Sequence, residues 1–526
     1  MLGAALAGPR VFAPRPKGIP GAILGASATL GHRLRTRDLP PPSEELRTGI
    51  VIVGGGMAGL SAAWKLKSAG YPDFTLLELE PEVGGNSRSG ENAITPYPWG
   101  AHYVPLPGPD ATLVRELFEE LGVIEGYDSA GEPLYNELYL CSDPQDRLHL
   151  HGRWQEGLVP DLGVEEADRR QYASFFKAMA DFGAAKGSDG RPAFCIPVDM
   201  SSRDPRFTAL DQLTMAEYMD QNGWTSKPLR WYVDYGCRDD YGCRLEETSA
   251  WAGIHYFASR VGGDPHHEGN VLTWPEGNGW IVAQLSQRLA PQIRANALVF
   301  NVETSASGEV RVDFYDPETR KSTRIVAEAA ILAAPRFVAA RLVDALRSQP
   351  PSYLKAFEYS PWMVANLSLD ALPAGPGAPL SWDNVPYQSP SLGYIVATHQ
   401  NVEQYPRRST VITYYLPLCE SAPAEARKAA YARTHGEWSR MIVADLSRMH
   451  PGIAETIKHL DVWLWGHAMI RPKPGYIWGP ERQEALKPLG RVFFAHSDMS
   501  GISIFEEAQY RGVTAAEAAI ASLSRS

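Results

Sequence analysis

The stretch Gly49-Ile-Val-Ile-Val53 followed by Gly54-Gly-Gly-Met-Ala-Gly59 decides the fold of this chain. The first half is apolar and β-branched, as in a buried parallel strand. The second half has the G-x-G-x-x-G spacing, and helix-forming residues continue from it to Ala69. A second strand is predicted over 74–79, where Glu78 stands 19 positions after Gly59. Strand, glycines, helix, strand and acid in this order predict a dinucleotide-binding unit.

Each glycine of this loop has its own physical role in such a unit. Gly54 permits the tight turn from strand to helix, and Gly59 permits close packing of the helix on the strand. Gly56 allows the backbone to approach a pyrophosphate. Met57 and Ala58 begin the helix, whose free N–H groups and partial positive charge favour phosphate oxygens. Glu78 can accept hydrogen bonds from a ribose hydroxyl pair.

The residues after the acid favour FAD over NAD. Residues 81–89 read Pro-Glu-Val-Gly-Gly-Asn-Ser-Arg-Ser. This segment resembles the flavin amine oxidase superfamily, which includes monoamine oxidases, L-amino-acid oxidases, protoporphyrinogen oxidase and phytoene desaturases. There, the ribose Glu is followed by a Gly-Gly-Arg-x-x-Ser/Thr element that lines the FAD. Asn86 replaces the usual Arg, and Arg88 could supply the lost cation. The resemblance implies that these residues line the cofactor: Glu78, Gly84, Gly85, Asn86, Ser87 and Arg88, with Ser89 matching the final Ser/Thr.

Further segments resemble the superfamily in the same order along the chain. The C-terminal one, Val492-Phe-Phe-Ala-His-Ser-Asp498, reads as a strand and turn before a helix that starts near Phe505. The resemblance implies that Asp498 meets the ribityl chain, while His496 replaces a glycine. The other matching segments are Trp99-Gly100-Ala101-His102 beside the flavin ring, the turn 274–279, the strand 298–302 with Val299 at the adenine, and Ile331 to Pro335 with Ala333.

The resemblance implies an α/β fold class and a discontinuous domain organisation. We expect a Rossmann-like FAD-binding domain of the glutathione-reductase-like (GR2) type, interleaved with an α+β substrate domain. The expected parts are 47–135, 270–345 and 485–526 for the FAD-binding domain, 136–269 and 346–484 for the substrate-binding domain, and 1–46 for a basic leader and linker.

Composition excludes several classes of protein. The chain has 526 residues, 44% hydrophobic and 21% charged, with a net charge of −11. These values exclude a disordered chain, and an acidic chain without a basic stripe is a poor candidate for binding nucleic acid. The apolar N-terminal residues resemble the tail of a twin-arginine export signal that lacks its Arg-Arg part, so a cytoplasmic and a periplasmic location both stay open. No stretch there reaches the length of a transmembrane span, and the sequence does not indicate the oligomeric state.

The five cysteines do not predict a disulfide framework or a zinc site, because their number is odd and no Cys-x-x-Cys occurs. Cys237 and Cys243 lie in a local duplication, where two reduced thiols in a loop or a redox pair are the alternatives. No metal site is predicted. His266 and His267 are expected in an exposed loop, and His149 and His151 on one face of a half-exposed strand.

Candidate catalytic residues are His102 from the flavin-ring loop and the aromatic residues of 461–476, namely Trp465, His467 and Tyr476. A bound flavin carries out the redox chemistry, and the protein positions a C–H bond against it. Core packing is the alternative for each aromatic residue. Second-rank candidates are Asp239, Asp240 and residues 255–257; the paired acids could bind a substrate amine or cap a helix.

A lysine that many amine oxidases hold near the flavin has no counterpart in residues 359–367; the nearest are Lys355 and Lys473. This absence gives weight to a desaturase or dehydrogenase. The resemblance as a whole still implies a non-covalent FAD-dependent oxidoreductase that transfers a hydride from an amine or amino-acid-like small molecule to flavin N5, with reoxidation by O₂ or another acceptor. The alternatives are a desaturase or dehydrogenase of an apolar, carotenoid-like substrate, and a non-catalytic FAD-binding partner protein.

Overall fold

The computed structural model of the protein describes residues 18–260, 271–401 and 408–524. The strands are β1 (Ile23–Gly25), β2 (Glu44–Val53), β3 (Phe74–Leu77), β4 (Ser89–Glu91), β5 (Pro96–Pro98), β6 (Tyr103–Pro105), β7 (Ile124–Tyr127), β8 (Pro133–Tyr135), β9 (Asp146–Leu150), β10 (Arg153–Glu156), β11 (Val271–Thr273), β12 (Ile293–Arg294), β13 (Leu298–Thr304), β14 (Val310–Asp316), β15 (Lys321–Leu332), β16 (Tyr359–Leu369), β17 (Asp383–Pro386), β18 (Gly393–Val396), β19 (Thr410–Pro417), β20 (Ile457–Ile470) and β21 (Val492–Phe494). The α-helices are α1 (Ala28–Gly31), α2 (Arg33–Thr36), α3 (Met57–Ser68), α4 (Thr112–Glu120), α5 (Glu166–Ala184), α6 (Pro205–Thr208), α7 (Met215–Gln221), α8 (Lys227–Tyr241), α9 (Ala250–Ala258), α10 (Gly279–Leu289), α11 (Arg336–Leu342), α12 (Asp344–Ser348), α13 (Pro423–Ala432), α14 (His435–Met449), α15 (Ile453–Thr456), α16 (Pro480–Ala485) and α17 (Phe505–Leu523).

The first large sheet has a parallel centre and an antiparallel edge. Its order is β12-β3-β2-β15-β14-β13, and β21 also pairs with β15. The contacts among β12, β3, β2, β15 and β21 are parallel, whereas β13, β14 and β15 form an antiparallel meander. This is the α/β, Rossmann-like arrangement predicted from the glycine loop.

The second half of β2, from Ile50 to Val53, is buried on both faces, which explains its continuous apolar sequence. Ile50 and Ile52 pack with the helices α3, α4, α10 and α17. Val51 and Val53 face the other way, toward the meander and α11. At Gly512 of α17, a Cβ would lie 2.1 Å from the backbone oxygen of Ala58, so a glycine lets α17 pack closely on α3. The C-terminal helix is thereby held beside the glycine loop.

The second large sheet is mostly antiparallel, in the order β1-β20-β16-β19-β18-β17-β9-β10. Alternate residues of β16 face opposite sides, as the period of a strand requires. Met363 and Ala365 pack toward α14, while Trp362 and Val364 pack toward α8 and α9. The sheet is therefore covered by helices on both faces. Its strands come from segments on either side of the meander, and the proposed domain boundaries stay a prediction.

Part of the expected leader and linker, residues 1–46, packs against the folded body. Strand β1 adds in parallel to the edge of β20, with Leu24 opposite Trp463. The Ser27 hydroxyl also donates to Glu80 at 2.9 Å. Strand β2 begins at Glu44, because that end of it pairs with β15, well before the apolar run. Residues 1–17 lie outside the described part, and the export-signal interpretation stays a prediction.

Two local expectations also differ from the structure. His151 lies beyond the end of β9 in a turn with φ +51°, so it does not share a strand face with His149. Cys237 lies in α8 and not in a loop. His266 and His267 lie outside the described residues.

The described residues contain no helix long and apolar enough to cross a membrane. Within the same ranges, no cluster of three or more His, Cys, Asp or Glu side chains is arranged to hold a metal ion. All five cysteines are buried free thiols. Burial raises the pKa of the Cys237 and Cys243 thiols, which keeps both in the protonated form at neutral pH.

Candidate cofactor and substrate site

The turn between β2 and α3 requires glycine at two positions for reasons internal to the fold. Gly54 has φ +106°, and a Cβ there would lie 2.6 Å from the backbone oxygen of Ala333. A Cβ at Gly59 would lie 1.8 Å from the oxygen of Gly54. Ala333 is itself buried and forms the floor of this turn. Any side chain at Gly54 or Gly59 would therefore displace backbone.

Gly56 differs from its two neighbours in the motif. Its φ of −72° is open to any residue, and the nearest atom to a Cβ there is Gly85 Cα at 3.9 Å. Gly56 is the N-cap of α3 and provides no side-chain cap, so Met57 and Ala58 present the helix N-terminus uncapped. Gly84 forms a bridge with Gly56 on the other side. Gly56, Gly84 and Gly85 thus leave a backbone surface that is free of side chains and suited to a pyrophosphate.

Glu78 stands at the end of β3 with its carboxylate directed at this turn. Its Oε2 accepts the Gly55 N–H at 2.6 Å, and its Oε1 accepts the Glu80 N–H at 2.9 Å. Burial raises its pKa, although these two bonds act in the opposite direction. A carboxylate has further lone pairs, so both oxygens can still accept from a ribose. The Ala297 N–H donates to the Glu78 backbone oxygen at 2.7 Å, which brings the start of β13 and Val299 to this end of the sheet.

Arg88 and Asn86 point in different directions. Arg88 lies 3.5 Å from Glu80 and 3.7 Å from Glu82, and its guanidinium lies 5.4 Å from the ring centre of Trp463. Asn86 is exposed and donates from Nδ2 to the backbone oxygen of Ala468 at 2.6 Å. Ser87 between them is buried. The guanidinium of Arg88 is therefore held between Glu80 and Glu82. That it replaces the arginine usual in the superfamily at the position of Asn86 stays a prediction.

Three distant segments meet where the flavin ring is expected. The Ala101 N–H donates to the Asn86 oxygen at 2.9 Å, and a Cβ at Gly100 would lie 2.3 Å from that same oxygen. The predicted turn before α10 closes over them, since a Cβ at Gly277 would lie 2.8 Å from His102 Cα. The turn at 274–279 lies more than 170 residues after the other two segments in the sequence, and the fold brings it to them.

His102 stands at the centre of an aromatic cluster, formed with Tyr103, Trp382 and Tyr415. Its ring stacks on Tyr415, with ring centres 4.6 Å apart and an interplanar angle of 29°. Trp382 and Tyr103 lie 5.5 and 5.1 Å away by ring centres. The Tyr415 hydroxyl donates to the Gly100 oxygen at 2.9 Å, and the Tyr103 hydroxyl donates to Asp239 at 3.3 Å. The aromatic cluster is thus an apolar wall with an acid at one end.

His102 is expected to stay neutral throughout the physiological pH range. Burial lowers its pKa to about 4, and its weak contact with the Gly100 oxygen acts in the opposite direction. An unfolded histidine has a pKa near ~6.5, so the unfolded chain takes up the proton first as pH falls. Acid below that value therefore costs stability through this residue, until the folded form also protonates near pH 4. Histidine NMR between pH 5 and 8 measures this directly; a titration midpoint at or above 6 would contradict it.

Asp498 is fully buried and bonded within the protein. Its Oδ2 accepts the Arg336 N–H at 2.7 Å and the Tyr359 hydroxyl at 2.6 Å, and its Oδ1 lies 3.1 Å from His496 Nδ1. Burial opposes ionisation of this carboxyl, but His496 and the hydrogen bonds outweigh burial and lower its pKa. Asp498 therefore anchors the C-terminal turn to α11 and β16. Its contact with a ribityl chain stays a prediction.

The aromatic residues predicted from 461–476 do not share one environment. Tyr476 is 4% exposed, and its hydroxyl donates to the Asp498 backbone oxygen at 2.8 Å, which favours the packing alternative. Trp465 is half-buried and donates from Nε1 to the Trp99 oxygen at 2.7 Å, beside the loop that carries His102. His467 is exposed and contacts Phe337. Of these three residues, Trp465 is therefore the one that contacts the loop 99–102, which carries His102.

Comparison with known proteins agrees with this geometry. A family profile described as an NAD(P)-binding Rossmann-like domain matches residues 52–121. A flavin-containing amine oxidase of Oncorhynchus mykiss is 22% identical over 283 residues, which are 53% of this chain and 49% of that protein. A structure of a putrescine oxidase double mutant, redesigned in cofactor binding, covers 91% of this chain and 100% of its own, with a TM-score of 0.66 at 16% identity.

The chain is similar to the flavin-containing amine oxidase superfamily in both sequence and fold. A third relative, the hydroxyneurosporene desaturase of Cereibacter sphaeroides, is 32% identical over 127 residues, 24% of this chain and 22% of that protein. The matched region thus spans about half of the length of the amine oxidase and less than a quarter of the length of the desaturase. These relatives are oxidoreductases, in agreement with the class expected from the sequence. The sequence matches support the resemblance to this superfamily, and the family profile and the structural match support the Rossmann-like fold.

Sequence reasoning missed the partners that this superfamily fold brings to the predicted residues. Trp382 and Tyr415 form the wall around His102, and Tyr359 and Arg336 hold Asp498. Tyr359 and Tyr415 lie in β16 and β19, Trp382 lies directly before β17, and Arg336 begins α11. Single residues in such places carry no spacing signal of function, and the three aromatic residues are positioned by strand register in the second sheet.

Proposed function

We propose that this chain is an FAD-dependent oxidoreductase of the amine-oxidase type, with non-covalently held FAD and a small amine or amino-acid-like substrate. Bound FAD would accept a hydride at N5 from a substrate C–H, with the electrons passing to O₂ or another acceptor. The observation that carries the proposal is the meeting of the glycine turn, the Asn86–Gly100 contact and the aromatic cluster at one place.

The residues present fit a dinucleotide. The uncapped start of α3 and the open surface at Gly56 and Gly85 suit the pyrophosphate, and the Glu78 oxygens suit a ribose. Val299 would lie at the adenine and Asn86 near the phosphates. The buried cysteines provide no thiol at the C-terminal turn, which supports non-covalent attachment.

The aromatic cluster suits an amine whose body is apolar. Tyr103, Trp382 and Tyr415 offer ring faces, and aromatic faces attract organic cations. His102 is neutral at physiological pH and does not repel a cation. Asp239, at the Tyr103 hydroxyl, adds a negative charge at one end of the wall. These residues would orient the substrate and exclude water from the reacting C–H bond.

A second candidate, oxidation of an apolar substrate by a desaturase or dehydrogenase, is favoured by the position of the lysines. Strand β16 carries none. Lys473 is nearly half exposed and lies 3.7 Å from Glu358, and Lys355 is exposed. The local match to a desaturase agrees with this candidate. A third candidate is an FAD-binding protein that serves a partner and performs no turnover.

The three candidates are separated by flavin spectroscopy. We expect the purified protein to show flavin absorption bands and to release FAD on denaturation. Under anaerobic conditions, bleaching by amines or amino acids supports the main proposal, and bleaching only by polyenes supports the desaturase. Full FAD occupancy, with no bleaching of the flavin by amines, amino acids or polyenes, would support the non-catalytic role. Absence of flavin would overturn all three.

A further inference from the structure

A pocket outside the aromatic cluster has a volume of about 490 Å³. Its walls come from the segment after β6, from the end of α5, from residues 192–196 and from the end of α9. The apolar side chains of Leu106, Phe194, Ile196 and Ala258 line it. A cavity of this size holds a drug-sized molecule. The pocket shares no lining residue with the aromatic cluster.

Glu506, in the first turn of α17, contributes a carboxylate to this pocket. The residue is 2% exposed, and its Oε2 has no hydrogen-bond partner among the described residues. Its neighbour Glu507 points elsewhere, since its Oε1 accepts the Val198 N–H at 2.5 Å. A buried carboxylate costs free energy unless a donor or cation meets it. Glu506 is therefore a candidate ligand-binding group.

Burial raises the pKa of Glu506 to about 7, although Arg260 favours the ionised form of this carboxyl group. Arg260 lines the pocket, but its guanidinium binds both oxygens of Asp240, at 2.6 and 2.7 Å. Asp110 adds a second carboxylate to the wall. Lys186 also lines the pocket but is exposed to solvent. Two acids and two bases therefore line an otherwise mostly apolar pocket, and Glu506 is the buried one of the four, with its Oε2 unpartnered among the described residues.

We propose that this pocket binds an organic ammonium ion, with the N–H groups donating to Glu506 and the carbon skeleton lying against Leu106, Phe194 and Ile196. The inference goes beyond the proposed oxidation at the flavin, because it names a second site with its own residues. An anion would bring a second negative charge to the Glu506 carboxylate and could not donate to its unpartnered Oε2. A neutral molecule of the same shape would leave the buried carboxylate without a counter-charge.

The test compares three probes with one carbon skeleton: 4-phenylbutylamine, 4-phenylbutan-1-ol and 4-phenylbutyrate. Binding to the FAD-loaded protein is measured by anaerobic calorimetry, while absorbance reports flavin reduction in the same sample. We expect the amine to bind and the other two to bind far more weakly. Glu506→Gln should weaken amine binding roughly 30-fold or more, because it removes one partner of a buried charge pair.

Two variants keep this test specific. Glu507→Gln is the matched control, a buried acid of the same helix turn that faces Val198, and it should keep wild-type affinity. Ala258→Leu retains the carboxylate but fills part of the pocket, so it should weaken the amine without changing the folded charge. Equal affinity of all three probes, or of Glu506→Gln and wild type, would overturn the site. Flavin bleaching is scored separately, so loss of binding here is distinguishable from failure of the oxidase proposal.

Discussion

Gly56→Val is expected to yield a folded protein that retains no FAD. A Cβ at Gly56 meets no protein atom closer than 3.9 Å, and φ of −72° suits valine, so the chain itself tolerates the substitution. The branched side chain would occupy the surface on which a pyrophosphate must lie against the start of α3. Because the phosphates supply much of the binding contact of a dinucleotide, we expect complete loss of the cofactor.

The measurement is the ratio of flavin to protein absorbance after gel filtration, with circular dichroism to report folding. Gly59→Ala gives the matched contrast, since its Cβ would lie 1.8 Å from the Gly54 oxygen and should disturb the fold itself. Wild-type FAD occupancy in Gly56→Val would show that the pyrophosphate lies elsewhere. Loss of folding in that variant would contradict the open space at Gly56.

Asp199→Asn is expected to destabilise the protein by roughly 3–5 kcal/mol, because it leaves two buried guanidinium groups without their charge partner. Asp199 lies 2.8 Å from Arg511 on α17 and 3.3 Å from Arg482 on α16. The side chains of Arg482 and Arg511 are 0% and 6% exposed. Arg511 also donates to Ser500 at 2.7 Å, so the pair supports the C-terminal turn beside Asp498.

The same ion pairs predict how stability depends on pH. Burial opposes ionisation of Asp199, but Arg511 and Arg482 outweigh it and lower its pKa to about 2. Since the folded pKa lies below the unfolded value of ~3.9, the stabilisation is complete above that value. It is lost as pH falls toward 2. This pH-dependent part of the stabilisation amounts to roughly 2.6 kcal/mol at ~1.4 kcal/mol per pH unit.

Denaturant unfolding at pH 7 and pH 3, in wild type and Asp199→Asn, tests both statements. The difference between the two proteins should shrink at the lower pH. Asp181→Asn is the control, because its pair with Lys177 is exposed and should change stability by less than about 1 kcal/mol. Equal unfolding of Asp199→Asn and wild type at neutral pH would show that the arginines find other partners.

The part of the site that could be predicted from sequence is the part carried by local geometry. The turn at Gly54 and Gly59 is constrained by atoms of its own βαβ unit, and Ala333 alone comes from afar. The strand, the helix and the acid lie within about thirty residues, so their order can be recognised from the sequence alone. The direction of the Arg88 side chain could not be predicted from the sequence. It depends on contacts with Glu80 and Trp463, which come from distant parts of the chain.

The amino-acid sequence determined the Rossmann-like fold, its superfamily and the backbone suited to a pyrophosphate, because these follow from residue types at short spacing. Only the tertiary structure decided that His102 is surrounded by Tyr415 and Trp382, that Asp498 is bound by Tyr359, and that Glu506 lies in a separate pocket. The first two of these contacts join residues about three hundred positions apart, and the third joins residues 139 positions apart. Such pairs are selected by sheet register and helix packing, which depend on the whole core and leave no periodic mark along the chain.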